Sequence, residues 1–167
     1  MSKPLSMAHL PRSLLTLAIA AAALTAACDV GASTQEAQSG LDASTQAQDV
    51  AAQSMLQNVL VAAKTLYVES SSYQGAGPSA LASTEPSLCV VGAETPAVST
   101  AATCEAGHGA GSVSVLAEPQ VFAAAARSAG GTCFWVKDAV GSGTVYGAGD
   151  PCTGTAALAA SAPSFPG

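Results

Sequence analysis

Cysteine is the residue type in this chain whose spacing points most directly to chemistry. Cys28 follows an apolar N-terminal run, and four more cysteines lie farther along, at Cys89, Cys104, Cys133 and Cys152. Without Cys28 the set is even, as expected for disulfides in an exported, oxidising compartment. Of the three pairings, the sequential one joins Cys89 to Cys104 and Cys133 to Cys152. It would close loops of about 15 and about 20 residues and stabilise the fold by about 3 kcal/mol per bridge. A zinc site is disfavoured because the sequence has no C-x-x-C pair.

Catalytic groups are sparse in the sequence. His108 is the single histidine after the N-terminal run, and it stands among glycines in the sequence EAGHGAG, which is typical of an exposed loop. These glycines lack the Lys-Ser/Thr ending of a phosphate-binding loop. Ser142 lacks the G-x-S-x-G spacing of a nucleophile elbow. We therefore expect no enzymatic activity and no cofactor, with a small hydrolase using His108 as the competing interpretation.

Two aromatic residues are candidates for contact with a partner. Trp135 follows Phe134 on a predicted strand, so one of these two side chains should face the core and the other solvent. Tyr73 follows the end of a predicted helix. Each of Trp135 and Tyr73 is either an edge of the core or an exposed contact point, and the sequence leaves both alternatives open.

Hydrophobic spacing predicts one helix behind a polar linker. Residues 28–43 are small and polar and predict a flexible linker. Ser44, Thr45 or Asp49 could cap a helix that starts there, and the helix should end near Glu69, before three consecutive serines. Its apolar stripe consists of residues spaced at steps of three and four: Leu56, Val59, Leu60, Ala63, Leu66 and Tyr67.

After Pro78 the pattern changes to short strands. Val113 and Val115 alternate with serines, which predicts a strand with one buried face, and Glu118-Pro119 and Gly130-Gly131 predict hairpin turns. The fold class is therefore α+β, with one long helix packed on a short-stranded antiparallel sheet over residues 44–154. Residues 155–167 predict a frayed, low-complexity tail. The predicted strands are residues 87–91, 112–116, 121–126, 133–138 and 144–146.

The N-terminus predicts export. Lys3 and Arg12 precede an uncharged run over residues 13–27, which is shorter than the roughly 20 residues that span a bilayer, so residues 1–27 are typical of a signal peptide. The sequence LTAAC at residues 24–28 resembles the lipobox of bacterial lipoproteins, although Thr25 stands where that family usually has leucine. The resemblance implies that Cys28 is acylated and holds the protein on the outer side of a bacterial membrane. The alternative is an ordinary signal peptide cut near Ala27, with Cys28 as a spare thiol.

Charge limits the partners. The whole chain has a net charge of −6, and after loss of the predicted leader three basic residues stand against eleven acidic ones, a net charge of −8. Such a surface repels nucleic acid and anionic headgroups, so we expect no nucleic-acid partner. Membrane attachment would then depend on the lipid, and proteins of the envelope are the expected partners.

Several segments resemble the heads of type IV pilins and pseudopilins over residues 45–153. The resemblance implies a helix packed on a four-stranded antiparallel sheet, with a C-terminal loop closed by a disulfide between Cys133 and Cys152. The chain departs from the family because it lacks the hydrophobic N-terminal helix of about 25 residues and the processing site before it, and a lipobox and polar linker stand there instead. The similar segments are residues 49–75 (DVAAQSMLQNVLVAAKTLYVESSSYQG), 85–88 (EPSL), 126–138 (ARSAGGTCFWVKD) and 144–147 (TVYG), followed by Cys152.

The same resemblance suggests where calcium could bind, since some pseudopilins bind it in a comparable loop. Asp138 and Asp150 flank the last loop, and with backbone carbonyls of Gly147 or Gly149 they could supply part of the six to eight oxygens that calcium takes. The competing interpretation is two solvated turn aspartates, and no other metal site is expected.

Together these patterns predict a non-enzymatic exported lipoprotein with a pilin-like head, acting in surface adhesion, envelope assembly or recognition. The alternative is a minor pilin or pseudopilin that joins a type IV pilus or a type II secretion-like machine.

Overall fold

The computed structural model describes the backbone of residues 32–100 and 111–166, and the side chains of these ranges from Leu41 onward. The described residues form two helices and five strands, with short 3-10 turns at Tyr73–Gly75 and Ala156–Ala159. Along the chain they are α1 (Ala32–Ser70), α2 (Pro78–Thr84), β1 (Cys89–Gly92), β2 (Ser112–Glu118), β3 (Val121–Arg127), β4 (Cys133–Ala139) and β5 (Gly143–Ala148). The predicted α+β class is confirmed.

Helix α1 ends close to the predicted position and begins earlier. Its last residue is Ser70, after which Ser71 takes a left-handed conformation (φ 55°) and donates its N–H to the Tyr67 carbonyl at 2.7 Å. Its start at Ala32 makes residues 32–43 helical, so the predicted linker is wrong for that stretch. Thr45 is no cap, because its hydroxyl donates to the Leu41 carbonyl inside the helix. The stretch has no proline, and alanine and glutamine favour helix even without an apolar period.

The sheet is mixed rather than purely antiparallel. The strand order is β1-β2-β3-β4-β5, with β1 and β2 parallel and every other neighbouring pair antiparallel. A parallel pair requires a long connection to return the chain to the starting end, and residues 93–111 provide that length. The predicted turns at Glu118-Pro119 and Gly130-Gly131 are confirmed, and Gly131 takes a positive φ of 95° that favours glycine.

One face of the sheet packs against α1. The predicted stripe is confirmed where it meets the sheet, since Leu56, Val59 and Ala63 are fully buried. Phe122 and Val136 project from the strands into the same core. The central strand β3 carries four consecutive alanines at residues 123–126, which are buried on both faces, and such small side chains let the helix approach closely.

The other face of the sheet is also covered, which the sequence did not predict. Ser112 and Ser114 were expected on an exposed face, yet both are fully buried. The Ser114 hydroxyl donates to the Gly92 carbonyl at 3.0 Å and accepts from the Gly154 N–H at 2.8 Å. These serines are buried because two further segments of the chain lie over that face, one around Ala97 and the other around Ala157.

The C-terminal segment, residues 155–166, is packed rather than frayed. Tyr146 of β5 exchanges backbone hydrogen bonds with Ala162, and the Phe165 ring lies 4.4 Å from the Tyr146 ring between centroids. Ala157 and Ala160 are buried. The segment covers part of the free edge of β5, so this edge is not open for pairing with another strand along its full length.

None of the helices in the described residues is both long and apolar enough to cross a bilayer.

Candidate functional site

The predicted cysteine chemistry is visible in part. Cys133 and Cys152 form a disulfide that joins the start of β4 to the segment before the C-terminal 3-10 turn, which confirms that pairing. Cys89 is also disulfide-bonded. Cys104, its partner under sequential pairing, lies outside the described residues, as do Cys28 and His108. The acylation of Cys28 and the role of His108 therefore stay predictions.

Asp138 is the centre of a buried polar network rather than a loop ligand. Its Oδ2 accepts from the Tyr73 hydroxyl at 2.5 Å, and its Oδ1 accepts from the Thr144 hydroxyl. Lys64 of α1 places its Nζ 2.9 Å from Oδ1 and donates to the Thr144 hydroxyl at 3.0 Å. The network therefore joins α1, the turn after it and the β4–β5 hairpin at one point.

The network has a clear electrostatic signature. Burial of Asp138 tends to raise its pKa, but the hydrogen bonds from Thr144, Tyr73 and Lys64, together with the Lys64 charge, outweigh burial and lower it below 3.8. The pKa of Tyr73 is raised, first by burial and then by its hydrogen bond to the Asp138 carboxylate. Both shifts favour an ionised Asp138 and a neutral Tyr73, which is the arrangement that the hydrogen bond requires.

The structure does not bring Asp138 and Asp150 together. Asp138 pairs with Thr144 near the turn of the β4–β5 hairpin, whereas Asp150 follows the opposite end, where Phe134 pairs with Ala148. Asp150 is exposed and forms an ion pair with Arg127. No cluster of three or more side chains suited to a metal occurs among the described residues. The calcium candidates are separated because an antiparallel hairpin places its two flanks at opposite ends of the strands.

The two aromatic candidates are both engaged within the fold. Tyr73 is only 2% exposed, and its ring lies between Tyr67 and Phe122 at centroid distances of 4.6 and 5.8 Å, so it belongs to the core. Phe134 faces α1, as one of the two strand neighbours was expected to do. Trp135 faces the C-terminal segment instead of solvent, and a Cβ on Gly149 would lie 2.6 Å from its ring.

A groove lies between α1 and the C-terminal segment, and we call it the α1 groove. Its volume is about 460 Å³. A neighbouring cavity of about 250 Å³ shares Asp49 and Pro166 with it and extends it to Phe134. One wall is the first half of α1, and the other is the C-terminal segment. The groove is lined by Asp42, Thr45, Gln46, Asp49, Val50, Gln53, Phe165 and Pro166.

The carboxylate and amide side chains of the α1 groove have no hydrogen-bond or ion-pair partner among the described residues. Asp49 Oδ1 has less than 1 Å² of exposed surface and accepts no hydrogen bond. Asp42, Gln46 and Gln53 likewise make no side-chain hydrogen bond or ion pair with another described group. Since a buried carboxylate oxygen without a donor is destabilising, the site favours a donor from outside the described residues.

The described basic residues are all committed elsewhere. Lys64 binds Asp138, Arg127 binds Asp150 and the Gly131 carbonyl, and Lys137 donates to the Leu158 carbonyl at 2.8 Å. The carboxylates of the α1 groove therefore lack a counter-charge within residues 41–100 and 111–166. Phe165 supplies an apolar floor, and its edge contact with Phe134, at 5.9 Å and 87°, fixes the ring.

The sequence contains a signal for the α1 groove that periodicity of apolar residues misses. Asp42, Gln46, Asp49 and Gln53 lie at i, i+4, i+7 and i+11, which is one face of a helix. This polar helix face was not predicted as one wall of a groove, because Asp42 was assigned to a linker and Phe165 to a frayed tail. A helix search that scored polar as well as apolar spacing would have placed the four residues on one face.

Protein-family models, curated proteins and solved structures give no match to this chain. Function is therefore inferred from its own residues and contacts.

Proposed function

We propose that this chain is an exported, non-enzymatic lipoprotein whose α+β head recognises a protein partner at the surface of a bacterial cell, in adhesion or in envelope assembly. The anchor would be an acylated Cys28, since residues 24–28 resemble a lipobox. The Cys133–Cys152 disulfide supports export, because such bridges persist in oxidising compartments.

The observation that carries the proposal is the position of α1 relative to Cys28. The helix begins at Ala32, four residues after Cys28, and its 39 residues extend about 58 Å. Residues 41–47 are exposed, and burial against the sheet is complete only from Ala52 onward. A lipid on Cys28 would therefore be joined to the head by a helical stalk, which would hold the head away from the bilayer.

The α1 groove supports a recognition role for the head. It is concave, it lies beside the stalk, and its carboxylates lack a counter-charge within residues 41–100 and 111–166. A surface of this kind is suited to binding, because its polar groups are available and one wall is held by ring packing.

A minor pilin or pseudopilin is the second candidate, and one observation favours it. The flexible linker was part of the difference between this chain and pilins, yet residues 32–43 are helical and continuous with the helix that packs on the sheet. A long helix that runs straight into an α+β head resembles the pilin arrangement, in which the N-terminal helix packs subunits together.

Metabolic labelling of cells that express the full chain separates these candidates. We expect palmitate on the wild type, no label on Cys28→Ala, and full label on the control Glu69→Gln, which changes an exposed residue of α1. Mass spectrometry of the mature N-terminus should find an acylated Cys28. An unlabelled, soluble secreted form would contradict the lipoprotein, and a methylated N-terminus left by pilin-type cleavage would establish the second candidate.

A partner is sought separately, by cross-linking in living cells. Photoreactive groups placed at exposed positions beside the α1 groove should capture an envelope protein, and groups placed at Val140, on the β4–β5 turn, serve as the control. Equal capture from both positions would contradict recognition through the groove.

A further inference from the structure

We propose that the α1 groove binds an ammonium or guanidinium group on an aliphatic stem, such as the side chain of a lysine or arginine in a partner protein. The inference deepens the recognition role proposed above and relies on it for the protein partner. The binding of the cationic group itself is argued from the geometry of the groove alone.

The acidic side chains of the groove favour a positively charged ligand. Asp42 and Asp49 line the groove, and none of its described lining residues is basic. The Asp49 Oδ1 atom is buried and accepts from no described group. A cationic N–H donor would satisfy that oxygen with a charge-assisted hydrogen bond, which is about twice as strong as a neutral one. The net charge of −6 also raises the local concentration of cationic ligands through long-range attraction.

The amides and the hydrophobic wall select an organic cation over a metal ion. Gln46 and Gln53 offer carbonyl oxygens on the same helix face, so one ammonium could be held by more than one acceptor. Phe165 and Pro166 form an apolar wall, against which a methylene stem packs and on which a cation is attracted to the ring. Two carboxylates fall short of the ligand set of a divalent ion, and no metal cluster is found in the described part of the chain.

The size of the site fits a side chain that enters lengthwise. The groove and the neighbouring cavity, of about 460 and about 250 Å³, meet at Asp49 and Pro166. A stem lying along Phe165 would bring its charged end to Asp49, where the two spaces join. A free polyamine has the same chemistry as a lysine side chain, so the two sources are compared directly.

Isothermal titration calorimetry on the full-length protein at low salt tests the site. The probes are a blocked Gly-Lys-Gly peptide, the matched uncharged Gly-Gln-Gly peptide, and spermidine. We expect saturable binding of the lysine peptide with one site per chain, and no binding of the glutamine peptide. The affinities of the lysine peptide and spermidine are compared per positive charge. If the peptide binds more tightly, the site is assigned to a protein segment, and if spermidine binds more tightly, it is assigned to a free amine.

Two variants of α1 separate a specific site from general charge attraction. Asp49→Asn keeps the shape of the side chain and should weaken binding by about tenfold to a hundredfold. Glu69→Gln removes the same charge from an exposed position of the same helix and should weaken binding by less than about twofold. Phe165→Leu keeps an apolar side chain but removes the ring and should weaken binding by about threefold.

Equal losses in Asp49→Asn and Glu69→Gln would overturn the proposal, because only net charge would then matter. Absence of saturable binding by both cationic probes would overturn it as well. Circular dichroism of each variant shows whether it folds. If Phe165→Leu does not fold, the isosteric Asp49→Asn still tests the site. Failure of palmitate labelling would remove the proposed anchor without changing these titrations, so the two hypotheses fail separately.

Discussion

The Tyr73 hydroxyl should stabilise the fold through its hydrogen bond to Asp138. This contribution is separate from the packing of the Tyr73 ring. In Tyr73→Phe the ring keeps its packing against Tyr67 and Phe122, whereas Asp138 Oδ2 loses its 2.5 Å donor. A hydrogen bond to a charged group contributes about 1.5–3 kcal/mol. We therefore expect the variant to lose about 2 kcal/mol of unfolding free energy, which is a large part of the roughly 5–15 kcal/mol typical of a small domain.

The loss should depend on pH in a defined direction. The pKa of Asp138 is lowered in the folded state, so its contribution is present above its usual value of 3.8 and is lost as the pH falls through the lower folded value. Tyr73→Phe removes one cause of the low pKa, so the variant has less of this contribution to lose. The difference in unfolding free energy between wild type and variant should therefore narrow as the pH falls below 3.8.

Urea unfolding followed by the fluorescence of Trp135, the single tryptophan, measures the effect. With an m value of about 1–3 kcal/mol per molar urea, the midpoint should fall by about 1 M. Tyr146→Phe is the matched control, because the Tyr146 hydroxyl makes no hydrogen bond with another described residue. It should change stability by less than about 0.5 kcal/mol.

Two results would refute this reasoning. The first is an equal loss in Tyr73→Phe and Tyr146→Phe, which would mean that the network around Asp138 adds nothing beyond packing. The second is a loss that grows as the pH falls, since the lowered pKa of Asp138 requires the opposite sign. A double-mutant cycle with Asp138→Asn checks the pair directly, and additive losses would exclude a specific interaction.

Three further outcomes are expected. Gly154→Ala should lower stability by about 1–3 kcal/mol, because the new Cβ would lie 2.6 Å from the Val115 backbone. Its control, Gly75→Ala, meets no atom within 4 Å and should be nearly neutral, and urea unfolding measures both variants. Replacing both Cys133 and Cys152 by alanine should cost about 3 kcal/mol for a separation of 19 residues, and reductant should then have less effect on the melting temperature than in the wild type. Because the pKa of Tyr73 is raised, stability should fall as the pH rises above its usual value of 10.0, and Tyr73→Phe should lack that part of the fall in alkaline urea titrations.

Local spacing predicted the elements that contact each other in the main core. The stripe of α1 from Leu56 to Tyr67 follows from its helical period, and the end of that helix follows from the serines after Glu69. The strand at Val113 and Val115 follows from alternation, and the other four strand segments follow from the turn residues that bound them. The pairing of Cys133 with Cys152 was implied by the pilin resemblance, whereas the residues alone left three pairings of the four cysteines open.

The α1 groove was not predicted, because the C-terminal segment that forms one wall was assigned to a frayed tail, and Asp42 on the other wall was assigned to a linker. Residues 32–43 have no apolar period, and residues 155–166 are low in complexity. Such segments show no hydrophobic pattern of their own, and their order depends on what they contact. Phe165, for example, is ordered by the rings of Phe134 and Tyr146, which neither position nor composition reveals.

The amino-acid sequence alone determined the apolar stripe of α1, the end of that helix and the approximate places of the five strands, because apolar spacing and turn residues act over a few positions. The tertiary structure alone decided three other features. These are the parallel pairing of β1 with β2, the burial of Ser114, and the placement of Asp49 and Pro166 along the same groove. Each of these depends on surfaces contributed by distant parts of the chain. Contacts between distant segments are favourable only once the other elements are in place, so no short window of sequence contains them.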